Sequence, residues 1–232
     1  TVEDKNVERV DFSERPFKIY VEGEEFLAKS VIISTGAEAI WLGAEGEEAQ
    51  KGRGISVCAT CDGAFFRNEE VMVIGGGDSA MEEATFLTRF ADKVTIINRR
   101  DVFRASKVMY DRANANPKIE IIPHRQVTRW LSDEKGLTGA ILEDPRDGSE
   151  TEITVTGAFI AIGHKPITAF LDDQIDTDEE GYILHSEHTM TNVPGVFAAG
   201  DVVDTRYRQA VTAAGMGCQA AMDAEKWLEE HN

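Results

Sequence analysis

The chain has 232 residues, 42 of them acidic and 24 basic, and the resulting formal net charge of −18 excludes nucleic acid as a default partner. With 42% hydrophobic and 28% charged residues it reads as an ordinary globular protein, long enough for one large or two small cored domains. Three cysteines exclude a disulfide framework, and the absence of a membrane-length apolar run or a leader-like start predicts a cytoplasmic chain.

Residues 7–22 (VERVDFSERPFKIYVE) alternate apolar and polar around a Ser-Glu-Arg-Pro turn, and FLAKSVIIS follows, which predicts short strands of an antiparallel ribbon. VIIS breaks at Thr35-Gly36-Ala37, and residues 42–54 form a polar, Gly-rich connection. A βαβ pattern comes next: Val71–Ile74 as a buried parallel strand, a Gly75-Gly76-Gly77 turn, helical periodicity from Asp78 to Phe90, and a second strand at Val94–Ile97. Further β signals lie at IEIIP, LTGAILED and ITVTGAFIAIG. After Gly163 come a Pro turn, the acidic loop LDDQIDTDEEG, a strand at Val196–Ala199 and a helix from about Gln209 to Glu230.

The run Gly75-Gly76-Gly77-Asp78-Ser79-Ala80 fits G-x-G-x-x-A, and its place between an apolar strand and a helix makes it a dinucleotide motif rather than a bare Gly-rich turn. Gly75 permits the tight turn, Gly77 lets backbone approach a pyrophosphate, and Ala80 keeps the helix close to the sheet. The helix N-terminus supplies N–H groups and positive dipole to the phosphates. About twenty residues further on, an acid would grip the ribose 2′-OH of NAD. This chain has Asn98 there, followed by Arg99, Arg100 and Arg104. Guanidinium groups fork onto a phosphate dianion, and no carboxylate repels it, so NADP(H) is expected.

Cys58 and Cys61 form a C-x-x-C pair shortly before that unit. A zinc knuckle would need a second pair, and Cys218 stands alone; His185 and His188 have too few neighbouring ligands for a metal. The pair therefore reads as a redox dithiol, in which the thiolate form of one cysteine is favoured. Asp62 is either a proton shuttle for it or a solvent-facing acid. A nicotinamide donates a hydride, which disulfides do not readily accept, so a flavin is expected between the two. The strand VFAA ends at Gly200-Asp201, ahead of Arg208-Gln209-Ala210 and the long helix, a favourable place for ribityl hydroxyls and phosphates.

CATCDG, VIGGGDSA, NRRDVFRAS, AIGHKP and TNVPGVFAAGDVVDTRYRQAVTAAG, in that order over essentially the whole chain, closely resemble the low-molecular-weight, bacterial-type thioredoxin reductases. The resemblance implies an α/β fold with two dinucleotide-binding, Rossmann-like domains of the pyridine nucleotide-disulfide oxidoreductase kind. It implies that electrons pass from NADPH through FAD to an active-site disulfide and on to thioredoxin. Carried over residue by residue, Cys61 faces the flavin, Cys58 attacks the thioredoxin disulfide and Asp62 is the acid/base. Gly75 to Ala80 with Arg99, Arg100 and Arg104 match the NADPH motif. Ser34, Thr35, Gly36, Gly200, Asp201, Arg208, Gln209 and Ala210 match the FAD site. Phe65 and Phe66, with Arg53 and Arg67, are expected to dock thioredoxin. A homodimer and a rotation of one domain against the other are also implied.

The chain departs from the family in having one G-x-G-x-x-A motif where complete members have two. The expectation is a chain that starts partway through its FAD domain, with about a quarter of a full chain, a βαβ unit and its neighbours, absent. The expected layout is residues 1–38 and 164–232 as parts of the FAD domain and 39–163 as the NADPH domain carrying the dithiol. Weak or absent FAD binding and little turnover by the chain alone are expected. The competing readings are a related flavin-dependent NADPH oxidoreductase, which would lack CATCD or carry an extra dithiol domain, and a non-enzymatic NADPH-binding remnant.

Overall fold

The computed structural model describes residue 2 and residues 4–231. Two compact units emerge, one of residues 39–163 and one of residues 1–38 together with 164–232. In chain order the strands and helices begin with β1 (Val7–Asp11), β2 (Phe17–Val21), β3 (Glu24–Ala28), β4 (Val31–Ile33), β5 (Ala37–Ala39), α1 (Glu47–Gln50), β6 (Ile55–Ser56) and α2 (Ala59–Asp62). Next are β7 (Glu70–Ile74), α3 (Asp78–Leu87), β8 (Lys93–Asn98), α4 (Lys107–Asn114), β9 (Ile119–Pro123), β10 (Gln126–Asp133), β11 (Gly136–Glu143) and β12 (Glu150–Thr154). The chain closes with β13 (Gly157–Ile160), β14 (His164–Pro166), β15 (Val196–Ala198) and α5 (Ala210–Glu230).

In residues 39–163 a five-stranded parallel sheet runs in the order β6-β13-β7-β8-β9. Its central strand β7 is apolar without a break after Glu70 because both faces are covered. Val71 and Val73 join one core layer; Met72 and Ile74, one residue out of phase, join the other. The first layer is closed by α3, whose Ala80, Met81, Ala84 and Leu87 recur at helical spacing and are fully buried. The second is closed by the antiparallel sheet β10-β11-β12, which sends Val127, Trp130, Leu137, Ala140 and Leu142 into it.

In the other unit β1, β2 and β3 form an antiparallel sheet, and β4 pairs in parallel with β15. Phe17, Ile33, Leu171, Ile183, Val196 and Ala198 are the centre of its core. The helix α5 lays Ala220, Ala224 and Trp227 against Phe197 and Ala199.

Four local expectations are revised. The ribbon stops at Ala28, because Val31 donates its N–H to the Gly195 carbonyl and β4 lines up beside β15 instead. The connection at 42–54 contains α1, and its Glu47 is buried because the carboxylate accepts the Leu42 and Gly43 N–H groups. ITVTGAFIAIG is two strands in different sheets, β12 against β11 and β13 against β7, parted at Val155-Thr156. The strand β10 and the helix α4 had no counterpart in the reading by periodicity.

Candidate functional site

Cys58 and Cys61 are joined in a disulfide with their Cα atoms 5.3 Å apart. The short helix α2 spans the bridge: Cys58 is its extended N-cap, and the Cys61 N–H donates to the Cys58 sulfur at 3.2 Å. Asp62 follows half-buried, its carboxylate accepting the Ser56 hydroxyl at 2.6 Å, while that same hydroxyl oxygen accepts the Cys58 N–H at 3.1 Å. Ser56 thus ties the carboxylate to the redox turn, a link the sequence motif did not contain. Behind the turn, on α3, the Glu83 carboxylate lies near the Ala59 N–H, which acts to lower its pKa, and its Oε2 is buried with no hydrogen-bond partner. Burial pushes the Glu83 carboxyl up to about 7 from its ordinary 4.5, with the nearby Glu82 charge adding to the effect.

The residues expected to dock a partner differ from one another. Phe65 is 81% exposed, whereas Phe66 turns inward, edge-to-face with Phe159 at 5.4 Å and tight against Gly157. Phe66 is therefore partly buried against the core, and the two adjacent phenylalanines are not equally presented on one surface. Arg67 stacks over Phe90, and Arg53 donates to the Glu134 carbonyl at 3.2 Å.

The glycine turn opens a cavity of about 440 Å³ within residues 39–163. Each glycine in it is needed for a different reason. A Cβ on Gly75, whose φ is +153°, would collide with the Ala161 carbonyl oxygen. One on Gly76 would lie 2.7 Å from the Asn98 side-chain oxygen, but one on Gly77 would meet nothing within 4 Å. Gly77 is thus kept small toward open space, where a ligand would come close to the backbone. Asn98 holds the arginine loop by donating to the carbonyls of Arg100 (2.8 Å) and Val102 (3.3 Å). Asp78 accepts the Ser106 N–H at 2.6 Å, pinning the same loop to the start of α3. Arg99, Arg100 and Arg104 line the cavity together with Trp41 and Arg125, which the motif reading did not include. The composition of this lining, open backbone beside several guanidiniums, fits a phosphorylated dinucleotide.

The other expected cofactor residues gather where β4 and β15 end. Thr35 donates its hydroxyl to the Ile167 carbonyl at 2.6 Å, and Gly36 takes φ +76°. Ala199 donates to the Ile33 carbonyl at 3.0 Å, which carries the pairing on toward Gly200 and Asp201. Asp201 Oδ1 and Arg208 Nε are buried without a hydrogen-bond partner, although Arg208 Nη2 donates to the Tyr182 hydroxyl at 2.9 Å. Gln209 caps α5 in a reciprocal box with Thr212. An orphaned acceptor and an orphaned donor at the end of a parallel strand fit a ligand rich in hydroxyls and phosphate. His164, half-buried, has its imidazole pKa lowered by burial and by the Arg208 charge.

Among known proteins, the chain is 53% identical to a thioredoxin reductase of Mycolicibacterium smegmatis, covering 94% of this chain and 71% of that protein. It is 52% identical to thioredoxin reductase 2 of Arabidopsis thaliana, covering 99% of this chain and 62% of that protein. The chain thus spans less than two thirds of the length of the plant relative. Among solved structures, the thioredoxin reductase from Giardia duodenalis superposes with a TM-score of 0.91 at 45% identity, covering 97% of this chain and 74% of that one. The one from Streptococcus pyogenes also scores 0.91, at 40% identity, with the same coverage. A family model for the pyridine nucleotide-disulphide oxidoreductases matches residues 1–217. The disulfide on its short helix and the arginine-lined glycine cavity thus sit in a chain that belongs to that family and, within it, to the thioredoxin reductases.

Proposed function

We propose that this chain is an NADPH-dependent thioredoxin-disulfide reductase, with residues 39–163 as the NADPH domain bearing the dithiol and residues 1–38 with 164–232 as the FAD domain. The observation that carries the reading is the closed Cys58–Cys61 disulfide in the same unit as a cavity lined by Arg99, Arg100 and Arg104. Gly75, Gly76, Gly77, Asp78, Ser79 and Ala80 form the turn and helix start that would hold the pyrophosphate of NADPH. Ser34, Thr35, Gly36, Gly200, Asp201, Arg208, Gln209 and Ala210 would hold FAD, a role supported by the unpartnered Asp201 Oδ1 and Arg208 Nε. When bound, flavin supplies the step between hydride and electron pair that a disulfide cannot take directly.

The chain's own residues do the rest. The disulfide gains two electrons and two protons and opens to the thiols of Cys58 and Cys61, and Cys58 then gives up its proton. Cys58 as thiolate attacks one sulfur of the thioredoxin disulfide and displaces the other as thiolate. Cys61 then attacks the mixed disulfide, restoring the Cys58–Cys61 bond and releasing thioredoxin with both of its sulfurs reduced. Asp62, held by Ser56, is the group that takes and returns the proton as the sulfurs change state. Phe65, Arg53 and Arg67 form the docking face in this reading, with Phe65 as its exposed anchor.

The test is NADPH-driven reduction of a disulfide dye through thioredoxin, with and without added FAD. Turnover that requires FAD and disappears in both Cys58→Ser and Cys61→Ser supports the proposal; turnover surviving in either variant refutes the mechanism.

A further inference from the structure

The dinucleotide cavity has a cationic wall that does not belong to the arginine motif. Arg125 lines it from the turn between β9 and β10, while Arg99, Arg100 and Arg104 line it from the loop after β8. The two loops are tied at the backbone, where Arg125 donates its N–H to the Asn98 carbonyl at 3.1 Å. The turn itself is tight, with His124 at φ +53°.

The Arg125 side chain is held before any ligand arrives. Its Nη1 donates to the His124 carbonyl at 2.8 Å and to Asp144 Oδ2 at 2.5 Å. The Asp144 side chain is only 4% exposed and is locked by Arg146, whose Nε and Nη2 reach its two oxygens at 2.9 and 2.6 Å. Those guanidiniums, Arg146 first, hold the Asp144 carboxyl well below the usual carboxylate range, so it stays charged. The carboxylate is shared by two guanidiniums, of which Arg125 is the one that lines the cavity. No hydrogen bond among the described residues uses Arg125 Nε or Nη2. That is the side-on pair of donors that suits a phosphate, and Arg125 is already immobilised, so little rotamer freedom remains to be lost on binding.

We propose that Arg125, positioned by Asp144, is a specificity-determining residue that selects an adenosine carrying a 2′-phosphate, acting from a loop separate from Arg99, Arg100 and Arg104. The inference rests on the reading of the cavity as the NADPH site.

The experiment titrates the full chain with 2′,5′-ADP and with 5′-ADP, following heat or intrinsic fluorescence, at several salt concentrations. Arg125→Leu is expected to weaken 2′,5′-ADP about tenfold and to lower the salt dependence of its binding, with 5′-ADP changed less than about twofold. Asp144→Asn, which leaves Arg125 in place but loosens its anchor, is expected to weaken 2′,5′-ADP about threefold with the same selectivity. If Arg125→Leu fails to fold, Arg125→Lys serves: it keeps the charge, loses the fork and is expected to fall between the two. An unchanged preference for 2′,5′-ADP in the Arg125 variants, with Arg99→Leu still abolishing it, overturns the inference and leaves the cavity assignment intact. Failure of the unsubstituted chain to bind 2′,5′-ADP or NADPH overturns the cavity assignment and the inference with it.

Discussion

The two compact units support their functional residues in opposite ways. In residues 39–163 the parallel sheet has five strands with apolar layers on both faces, and the polar residues of its loops hydrogen-bond one another. Asn98, Asp78 and Asp144 each brace a turn that faces the cavity or the loop beside it. In the other unit the parallel pairing is two strands wide, and Asp201 and Arg208 keep buried polar atoms without partners. Its surface also shows Ile32, Val211 and Met222, and a groove of about 660 Å³ lined by Ile32, Ala221, Met222 and Leu228. The first unit also keeps buried unpartnered atoms, at Gln50, Glu83 and Trp130, but none of these residues lines its cavity, whereas in the second unit the two unpartnered atoms belong to residues expected to meet a cofactor. The difference teaches where stability and function coincide: a ligand should matter little to the folding of the first unit and a good deal to that of the second.

The largest effect expected from breaking this arrangement is at Gly75. Gly75→Ala forces a side chain into the Ala161 carbonyl at a positive φ, a loss of about 2–5 kcal/mol in chemical denaturation. Gly77→Ala, with open space around it, should unfold like the parent and yet bind NADPH more weakly. Equal destabilisation by the two would contradict the division of labour drawn for the turn.

Glu83 gives the next largest effect. Its carboxyl holds a proton up to about pH 7 in the folded chain, against 4.5 ordinarily, so the folded state binds the extra proton between those values. Its contribution to stability is therefore full below about pH 4.5, declines as pH rises to about 7, and is level beyond, a loss of about 3 kcal/mol. Glu83→Gln should flatten the stability curve over that interval and raise stability at pH 8. A curve of the same slope in the variant would show that the carboxyl ionises freely in the folded chain.

The smallest effect is at Asp201. Asp201→Ala removes a buried, unsatisfied oxygen and should raise stability by about 1 kcal/mol in the absence of flavin. The same variant should lose any thermal shift that FAD produces in the parent. If stability falls instead, Asp201 is satisfied within the chain and the contrast between the units weakens.

Much of the first unit was legible because its signals are local. An unbroken apolar run at Val71–Ile74 followed by three glycines and a helix permits few other arrangements, and the arginines spaced after β8 line the cavity beside those glycines. The C-x-x-C spacing likewise foretold the disulfide. What escaped depended on partners far along the chain. The inward turn of Phe66 is decided by Phe159 and Gly157, more than ninety residues later. The position of Arg125 at the cavity depends on Asp144 across the β10–β11 hairpin, and no spacing rule announces it. The strand β4 joins β15 rather than the ribbon because Gly195 and Val196 present the matching edge, again a long-range matter. Ser56 is a milder case: two residues before Cys58 and six before Asp62, it was within reach of a reading that asked what orients the carboxylate.

The central claim, that Cys58 and Cys61 pass an electron pair to thioredoxin, is tested most directly without nucleotide or flavin. The chain is reduced chemically, freed of reductant and mixed in excess with oxidised thioredoxin, then quenched in acid, alkylated and weighed by peptide mass spectrometry. The account predicts that thioredoxin gains two thiols as the Cys58–Cys61 bond re-forms, with exposed Cys218 alkylated throughout and no exchange in Cys58→Ser. Thioredoxin that stays oxidised beside a fully reduced pair, or exchange that proceeds unchanged in Cys58→Ser, would contradict it.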